Sequence, residues 1–277
     1  VAEPGSLVLV ATPIGNLGDL SPRAVEELAA ADVVACEDSR KARKVLDHAG
    51  VRARELLVVH DHNESKQASA IVERLARGER VALITDAGMP GVSDPGERVV
   101  RAVVAAGFEA DVVPGPSAAL AALVLSGLPT GRFVFEGFLP RKGSGRGERL
   151  AALAEEDRTI VLYEAPHRLA RTLDDLLDVV GPRRRVVLAR ELTKLHQEVW
   201  RGPMVDAVAR VAAAEPRGEY VIVLAGAPPA APASDDEISG ALQRELDAGL
   251  TTKDAVASVA AGLGVPRRRV YDLAHKQ

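Results

Sequence analysis

The chain has 277 residues, 47% of them hydrophobic, 27% charged and 3% aromatic, with one cysteine and a formal net charge of −4. Such a composition is globular and long enough for two cores; the charge argues against a protein that coats nucleic acid, and Cys36 alone rules out an internal disulfide. No apolar run reaches the length of a membrane span, and residues 1–11 lack the basic region and long apolar stretch of a secretory signal, so a reducing cytoplasm is the expected compartment.

Short β-branched runs alternate with helical patterns through the first half. Strands are predicted at Leu7 to Ala11, Val33 to Cys36, Leu56 to Val59, Val81 to Thr85 and Asp111 to Val113. Helices fill the gaps: Ser21 caps one with Pro22 in its first turn, and Gly50, Gly78 and Gly107 end three others. This alternation predicts βαβ units and a mostly parallel sheet over residues 1–116. After Pro114-Gly115-Pro116 the pattern restarts with an Ala/Leu helix. Strands then follow near Phe133 to Glu136, Thr159 to Tyr163, Val186 to Ala189, Glu198 to Gly202 and Glu219 to Ala225, which gives a second α/β domain over 117–226. Residues 227–234 read as a Pro/Ala linker. The tail, 235–277, reads as three helices, the last two around Gly262-Leu263-Gly264, as either a helix-turn-helix or a packing appendage.

Ligands of open parallel sheets bind beyond the carboxyl ends of the strands, so the loops there are the first place to look. Thr12 to Asp19 follows the first strand and Asp86 to Gly96 the fourth, and both are rich in Gly, Pro and acids. A single such loop is more often a tight turn; several at one sheet edge point to a site. No G-x-x-x-x-G-K phosphate loop is present, and Gly143 to Gly147 follows no clear strand. His60, Asp61, His62 and Glu64 lie along one extended segment with no companion cluster, and polar loop lining is the better reading than a metal site.

Seven segments together resemble one family. Ala11-Thr12-Pro13-Ile14-Gly15-Asn16-Leu17-Gly18-Asp19, Cys36 to Arg40, His60 to Glu64, Asp86-Ala87-Gly88 through Ser93-Asp94-Pro95-Gly96, Pro114 to Ala118, Tyr163 to Arg168 and Arg190 to Lys194 are similar to the bacterial 16S rRNA (cytidine-2′-O)-methyltransferases. They run in family order from about Leu7 to Gly226. The resemblance implies an α/β protein of two α/β domains of the tetrapyrrole methylase (class III S-adenosylmethionine methyltransferase) type, with a small helical C-terminal extension. It also implies S-adenosylmethionine held in a cleft between the domains, a homodimer, and as substrate the decoding-centre cytidine 1402 of 16S rRNA or the small ribosomal subunit. Met89, Asp61, Ser39 and Ala165 depart from the residues usual in the family, Thr, Glu, Thr and Ser.

By family position, Pro13, Asp86, Gly88, Met89, Ser117, Ala118, Tyr163 and Leu192 are the expected cofactor residues. Gly88 and Ala118 permit close backbone approach; Ser117 also reads as a helix N-cap, and Asp86 as a turn or cap residue. Methyl transfer needs an aligned acceptor, and an alcohol gains from a positioned base. Glu37 or Asp38 is expected to take the 2′-OH proton and Arg40 to hold a flanking phosphate, with Asn16 and Asn63 beside them; a structural ion-pair cluster is the equal alternative. Arg141, Lys142, Arg146, Arg149, Arg168 and Lys194 are the expected RNA contacts, and Arg183 to Arg185 and Arg267 to Arg269 form two more basic triplets. Methylation of a tetrapyrrole and a non-catalytic ribosome-assembly role are the alternatives in function.

Overall fold

The computed structural model describes residues 5–229 and 233–275. It divides into two compact units, Val1–Ala227 and Pro228–Gln277. Residues 230–232 of the expected linker, 1–4 of the start and 276–277 of the tail lie outside the described residues.

The first half of the larger unit holds β1 (Leu7–Val10), α1 (Pro22–Ala30), β2 (Val33–Cys36), α2 (Ser39–Ala49), β3 (Leu56–Val58), α3 (Glu64–Ala76), β4 (Val81–Leu83), α4 (Glu97–Ala105) and β5 (Ala110–Val113). All five predicted strands are present. They pair in the order β3-β2-β4-β1-β5, every neighbour parallel. Both faces are covered, as the near-continuous apolar runs require. Val8, Val10, Val34, Cys36, Ala82 and Ile84 pack beneath α1 and α2; Leu7, Val33, Ala35, Val81 and Leu83 pack beneath α3 and α4. The period-2 alternation of strand side chains sends neighbouring residues to opposite cores. Ser21 accepts from the Ala24 amide at 3.1 Å to start α1, and Gly50, at φ 66°, closes α2. β4 stops at Leu83, short of the expected Thr85, because the Thr12 hydroxyl takes the Thr85 carbonyl at 3.1 Å and turns the chain into its loop.

The second half holds α5 (Ala118–Ser126), β6 (Phe133–Phe138), α6 (Ser144–Glu155), β7 (Thr159–Glu164), α7 (Pro166–Val180), β8 (Arg185–Arg190), β9 (Glu198–Pro203), α8 (Met204–Ala212) and β10 (Tyr220–Leu224). Its sheet, β6-β7-β10-β8-β9, is parallel only between β6 and β7. β6 runs past the expected Glu136 because Gly137, at φ 59°, carries a bulge instead of ending the strand. One face packs under α6, α7 and α8; the other takes α5 together with Ile14, which arrives from the loop after β1. The two halves therefore share a core at the carboxyl end of the first sheet.

The smaller unit is α9 (Asp235–Asp247), α10 (Thr252–Gly262) and α11 (Arg267–Ala274) around Ile238, Leu242, Val256, Val259 and Val270. Ser234 and Glu237 form a capping box at the start of α9. Among the described residues no helix is long and apolar enough to cross a membrane.

Candidate active site

The loops after β1 and β4 are stitched together by two hydrogen bonds, Thr12 N to Gly88 O at 2.9 Å and Gly88 N to Thr12 O at 3.1 Å. The loop after β1 is also tied to the second half. The Asn16 amide donates to the Thr193 hydroxyl at 3.2 Å, and Gly15 faces Lys194 so closely that a Cβ would sit 2.4 Å from its side chain. Behind these ties opens a cavity of about 510 Å³. One wall comes from the first half, with Ile14, Glu37, Lys41, Asp86 to Met89 and Val92 to Asp94. The other comes from the second half, with Ser117, Ala118, Phe138, Tyr163 to His167, Leu192 and Glu219 to Val221. Non-glycine residues with left-handed backbone stand around it, Ser93 at φ 61°, Glu191 at 49° and Thr193 at 65°. Such conformations cost energy and persist where surrounding contacts impose them.

The expected cofactor residues converge here. Asp86, Gly88, Met89, Ser117, Ala118, Tyr163 and Leu192 all line the cavity, and Pro13 is buried beside Ile14 without lining it. Ser117 also caps α5, accepting from Leu120 N at 3.5 Å. The Tyr163 hydroxyl accepts from Ala119 N at 3.2 Å, and Phe135 and Phe138 flank its ring at 5.1 and 5.7 Å. Asp86 is anchored rather than free: it accepts from the Asp38 amide at 3.1 Å and pairs with Lys41 at 2.8 Å.

Of the five expected catalytic residues only Glu37 lines the cavity. Burial and the Asp86 carboxylate raise its pKa. Asp38 instead caps α2 and grips Arg40, accepting its amide at 2.8 Å and its guanidinium at 2.7 Å, which drives its pKa far below the usual carboxylate range. A carboxylate so stabilised is a weak proton acceptor, and Arg40 is correspondingly occupied. Asn16 folds onto the Gly18 amide at 3.0 Å, and Asn63 closes the turn before α3 through His60 N at 2.9 Å and Val58 O at 3.1 Å. Both are spent on local turns.

The expected RNA residues scatter. Arg141 and Lys142 are exposed, and Arg149 is half exposed while pairing with Glu136 at 3.0 Å. Arg146 corrects the expectation: it is 4% exposed, and its guanidinium is committed to Asp175, Pro140 O and Thr172. These bonds hold the group in the interior, turned into the fold. Arg168 is held by Glu164 at 3.2 Å and Leu139 O at 2.6 Å, and Lys194 bridges Glu191 and Glu219 at 2.9 and 2.8 Å.

Lys41, Asp94, Glu164 and Glu219 line the cavity but were not among the nominated residues. Asp94 lies inside a motif the sequence displays, so a signal for it existed. Lys41 meets its partner Asp86 from 45 residues away, and nothing local announces that. Cys36, buried behind the site with its thiol pushed up to about 11 by burial and by Asp86 and Asp38, is chemically quiet. A larger hollow of about 890 Å³ opens between β8, β9 and α8. It draws on none of the strand-end loops of the first sheet, and its Arg190 and Arg210 are already paired with Glu198, so the smaller cavity is the candidate site.

Residues 6–208 match the family of Tetrapyrrole (Corrin/Porphyrin) Methylases, and residues 232–277 match the RsmI C-terminal HTH domain. A protein of Synechocystis sp., "Ribosomal RNA small subunit methyltransferase I", is 45% identical across 97% of each chain. The protein of the same name from Escherichia coli O157:H7 is 41% identical over 99% of this chain and 96% of its own. This chain belongs to that methyltransferase family. Among solved structures, the methyltransferase CobJ superposes with a TM-score of 0.62 at 24% identity, over 80% of this chain and 95% of its own. Uroporphyrin-III C-methyltransferase from Thermus thermophilus, complexed with S-adenyl homocysteine, gives 0.56 at 21% identity, over 79% of this chain and 96% of its own. These two establish the tetrapyrrole methylase fold. As a member of the small subunit methyltransferase I family, the protein depends on S-adenosylmethionine.

Proposed function

We propose that this methyltransferase, whose coarser activity is methylation of small-subunit ribosomal RNA, acts on the ribose 2′-hydroxyl of cytidine 1402 in 16S rRNA, in the cytoplasm and as a homodimer. Identity to proteins of that name over 97% of the chain, tail included, carries the choice of acceptor. The CobJ and uroporphyrin-III enzyme likenesses stop at about 80% of the chain, which disfavours a tetrapyrrole acceptor.

The cavity suits the cofactor. Its volume lies in the range of small-molecule sites, and Ile14, Met89, Ala118, Leu192 and Val221 offer an apolar wall for an adenine. Its rim is acidic: Glu37, Asp86, Asp94 and Glu219 face Lys41, a surplus of carboxylates that favours a cation. When bound, the cofactor supplies an electrophilic methyl on a positively charged sulfonium. The residues assigned to hold it are Pro13 behind the wall and Asp86, Gly88, Met89, Ser117, Ala118, Tyr163 and Leu192 around it. The aligned cleft and exclusion of water then do much of the work. Met89 can serve through its backbone, while a hydroxyl at this position is lost. The exposed Arg141 and Lys142, with Arg149 at its partial exposure, are assigned to the RNA backbone.

The homodimer is supported by α5, which is apolar on every side and leaves Leu120, Val124 and Leu125 at 51%, 71% and 40% exposure. Val124→Asp should convert a dimer to a monomer in sedimentation while keeping the wild-type circular dichroism spectrum; an unchanged dimer removes α5 from the interface.

The deciding experiment incubates the protein with radiolabelled S-adenosylmethionine and small ribosomal subunits lacking the modification, then maps the label. Label on the ribose of one decoding-centre cytidine is expected. Intact cofactor binding with no transfer to subunits or naked rRNA would move the acceptor to a small molecule.

A further inference from the structure

β6 lies at the edge of the second sheet, and its end turns one aromatic ring onto an open face. Side chains of a strand alternate between the two faces, so a regular β6 would put Phe135 and residue 137 on one face and Phe138 on the other. Phe135 pairs with Val161, on the face that takes α5. In that register Phe138 would stand beside Glu164, on the face covered by α6 and α7. The bulge shifts the strand by one step: Gly137 pairs with Leu162 and Phe138 with Tyr163. Phe138 therefore joins Phe135 and Tyr163, its ring 5.7 Å from that of Tyr163, while Leu139 drops into the core under α6 and α7. The shift needs glycine, since residue 137 has a φ of 59° and a Cβ there would lie 3.0 Å from the Ser93 hydroxyl.

On its new face Phe138 has little cover. Phe135 and Tyr163 pack against the α5 core, but Phe138 lines the cavity with 50% of its surface exposed. The fold thus uses a bulge and a left-handed glycine to move an apolar ring from a covered face to a wet one, and forgoes the burial it would have gained. The chain just beyond is basic and firmly held. Arg141 and Lys142 are exposed, and the carbonyls of Leu139 and Pro140 before them accept from Arg168 at 2.6 Å and Arg146 at 2.8 Å. Both arginines are anchored in turn, to Glu164 and to Asp175. An aromatic face and two cations stand at a fixed spacing, the combination that binds unstacked nucleotides.

We propose that Phe138 is the stacking platform for the nucleobase of the methylated nucleotide, an assignment that rests on the reading of this cavity as the site of methyl transfer to ribosomal RNA. The 2′-hydroxyl and the base sit on adjacent carbons of one ribose. A hydroxyl brought to the methyl group inside the cavity therefore carries its base to the cavity wall, where Phe138 offers its ring, and Arg141 and Lys142 take neighbouring phosphates. Every base has a π face, so Phe138 supplies binding and alignment of the ribose and does not select cytosine. The rival occupant is the adenine of the cofactor, for which the apolar wall of Ile14, Ala118, Leu192 and Val221 lies deeper in the same cavity lining.

Variants at residue 138 separate stacking from bulk. With saturating S-adenosylmethionine and unmodified small subunits, Phe138→Leu keeps an apolar side chain and should lower kcat/KM for subunits about 10- to 100-fold. Phe138→Tyr and Phe138→Trp keep an aromatic face and should stay within about threefold of wild type. Calorimetry should give all three variants the cofactor affinity of wild type, which also shows that the site is folded. Phe138→Leu with kcat/KM for subunits within about threefold of wild type overturns the proposal. A loss of cofactor affinity as large as the loss in kcat/KM also overturns it and gives the ring to the adenine, and a changed oligomeric state in sedimentation gives it to a second copy of the chain. Wild type that labels no rRNA refutes the acceptor and the platform together; wild type that labels rRNA beside an equally active Phe138→Leu refutes the platform alone.

Discussion

The loop from Asp86 to Gly96 and the stretch from Arg141 to Arg149 are alike in sequence, Gly-rich and charged, and the fold treats them in opposite ways. The first keeps a carboxyl without a partner in a half-buried place, held by Glu64 and by strain at Ser93. The second turns its central charge inward, where Arg146 ties α6 to α7 through Asp175 and Thr172 and reaches Glu164 by way of Thr172. Charge therefore points to chemistry only when its partners are known. A fully paired buried ion is architecture, and an unpaired one is a cost that needs a use.

The contrast can be broken by mutation. Arg146→Ala should have the largest effect on stability, about 2–3 kcal/mol in denaturant unfolding, because it removes the buried links from α6 to Asp175, Thr172 and the Pro140 carbonyl. A loss below about 1 kcal/mol would mean the buried guanidinium is not a tie, and the two regions would no longer differ. Asp94→Asn should do the reverse and stabilise. Its folded pKa of about 7 lies above the unfolded value near 3.8, so between those values the folded state holds the extra proton and stability falls as pH rises. The variant should thus match wild type at pH 4 and exceed it at pH 8 by about 1–3 kcal/mol; equal melting curves at pH 8 would show the carboxyl pays nothing for its place. Smallest in stability, within about 0.5 kcal/mol, is the double change Arg141→Ala and Lys142→Ala. It should weaken binding to small subunits and lower the slope of log affinity against log salt by about 1–2. An unchanged slope would take these two residues off the RNA.

The ten strands and three tail helices were readable along the chain because each is set by local periodicity and by its capping residues, as Ser21, Gly50 and Ser234 show. The edges of β4 and β6 were misjudged where a distant group intervened, the Thr12 hydroxyl in one and the bulge at Gly137 in the other. The cavity wall was legible through motif resemblance at Asp86, Gly88, Met89, Ser117, Ala118, Tyr163 and Leu192. Asn16, Asn63 and Asp38 carry the same residue types as active groups, but their local hydrogen bonds are visible only in three dimensions.

By itself, then, the sequence determined the succession of elements, the doubly covered first sheet and the family, since hydrophobic period and motif order are properties of neighbouring residues. Only the tertiary structure decided which charges are free. Lys41 meets Asp86 across 45 residues and Arg146 meets Asp175 across 29, while nothing meets Asp94 among the described residues. Coulomb energy and desolvation depend on distance in space and not along the chain.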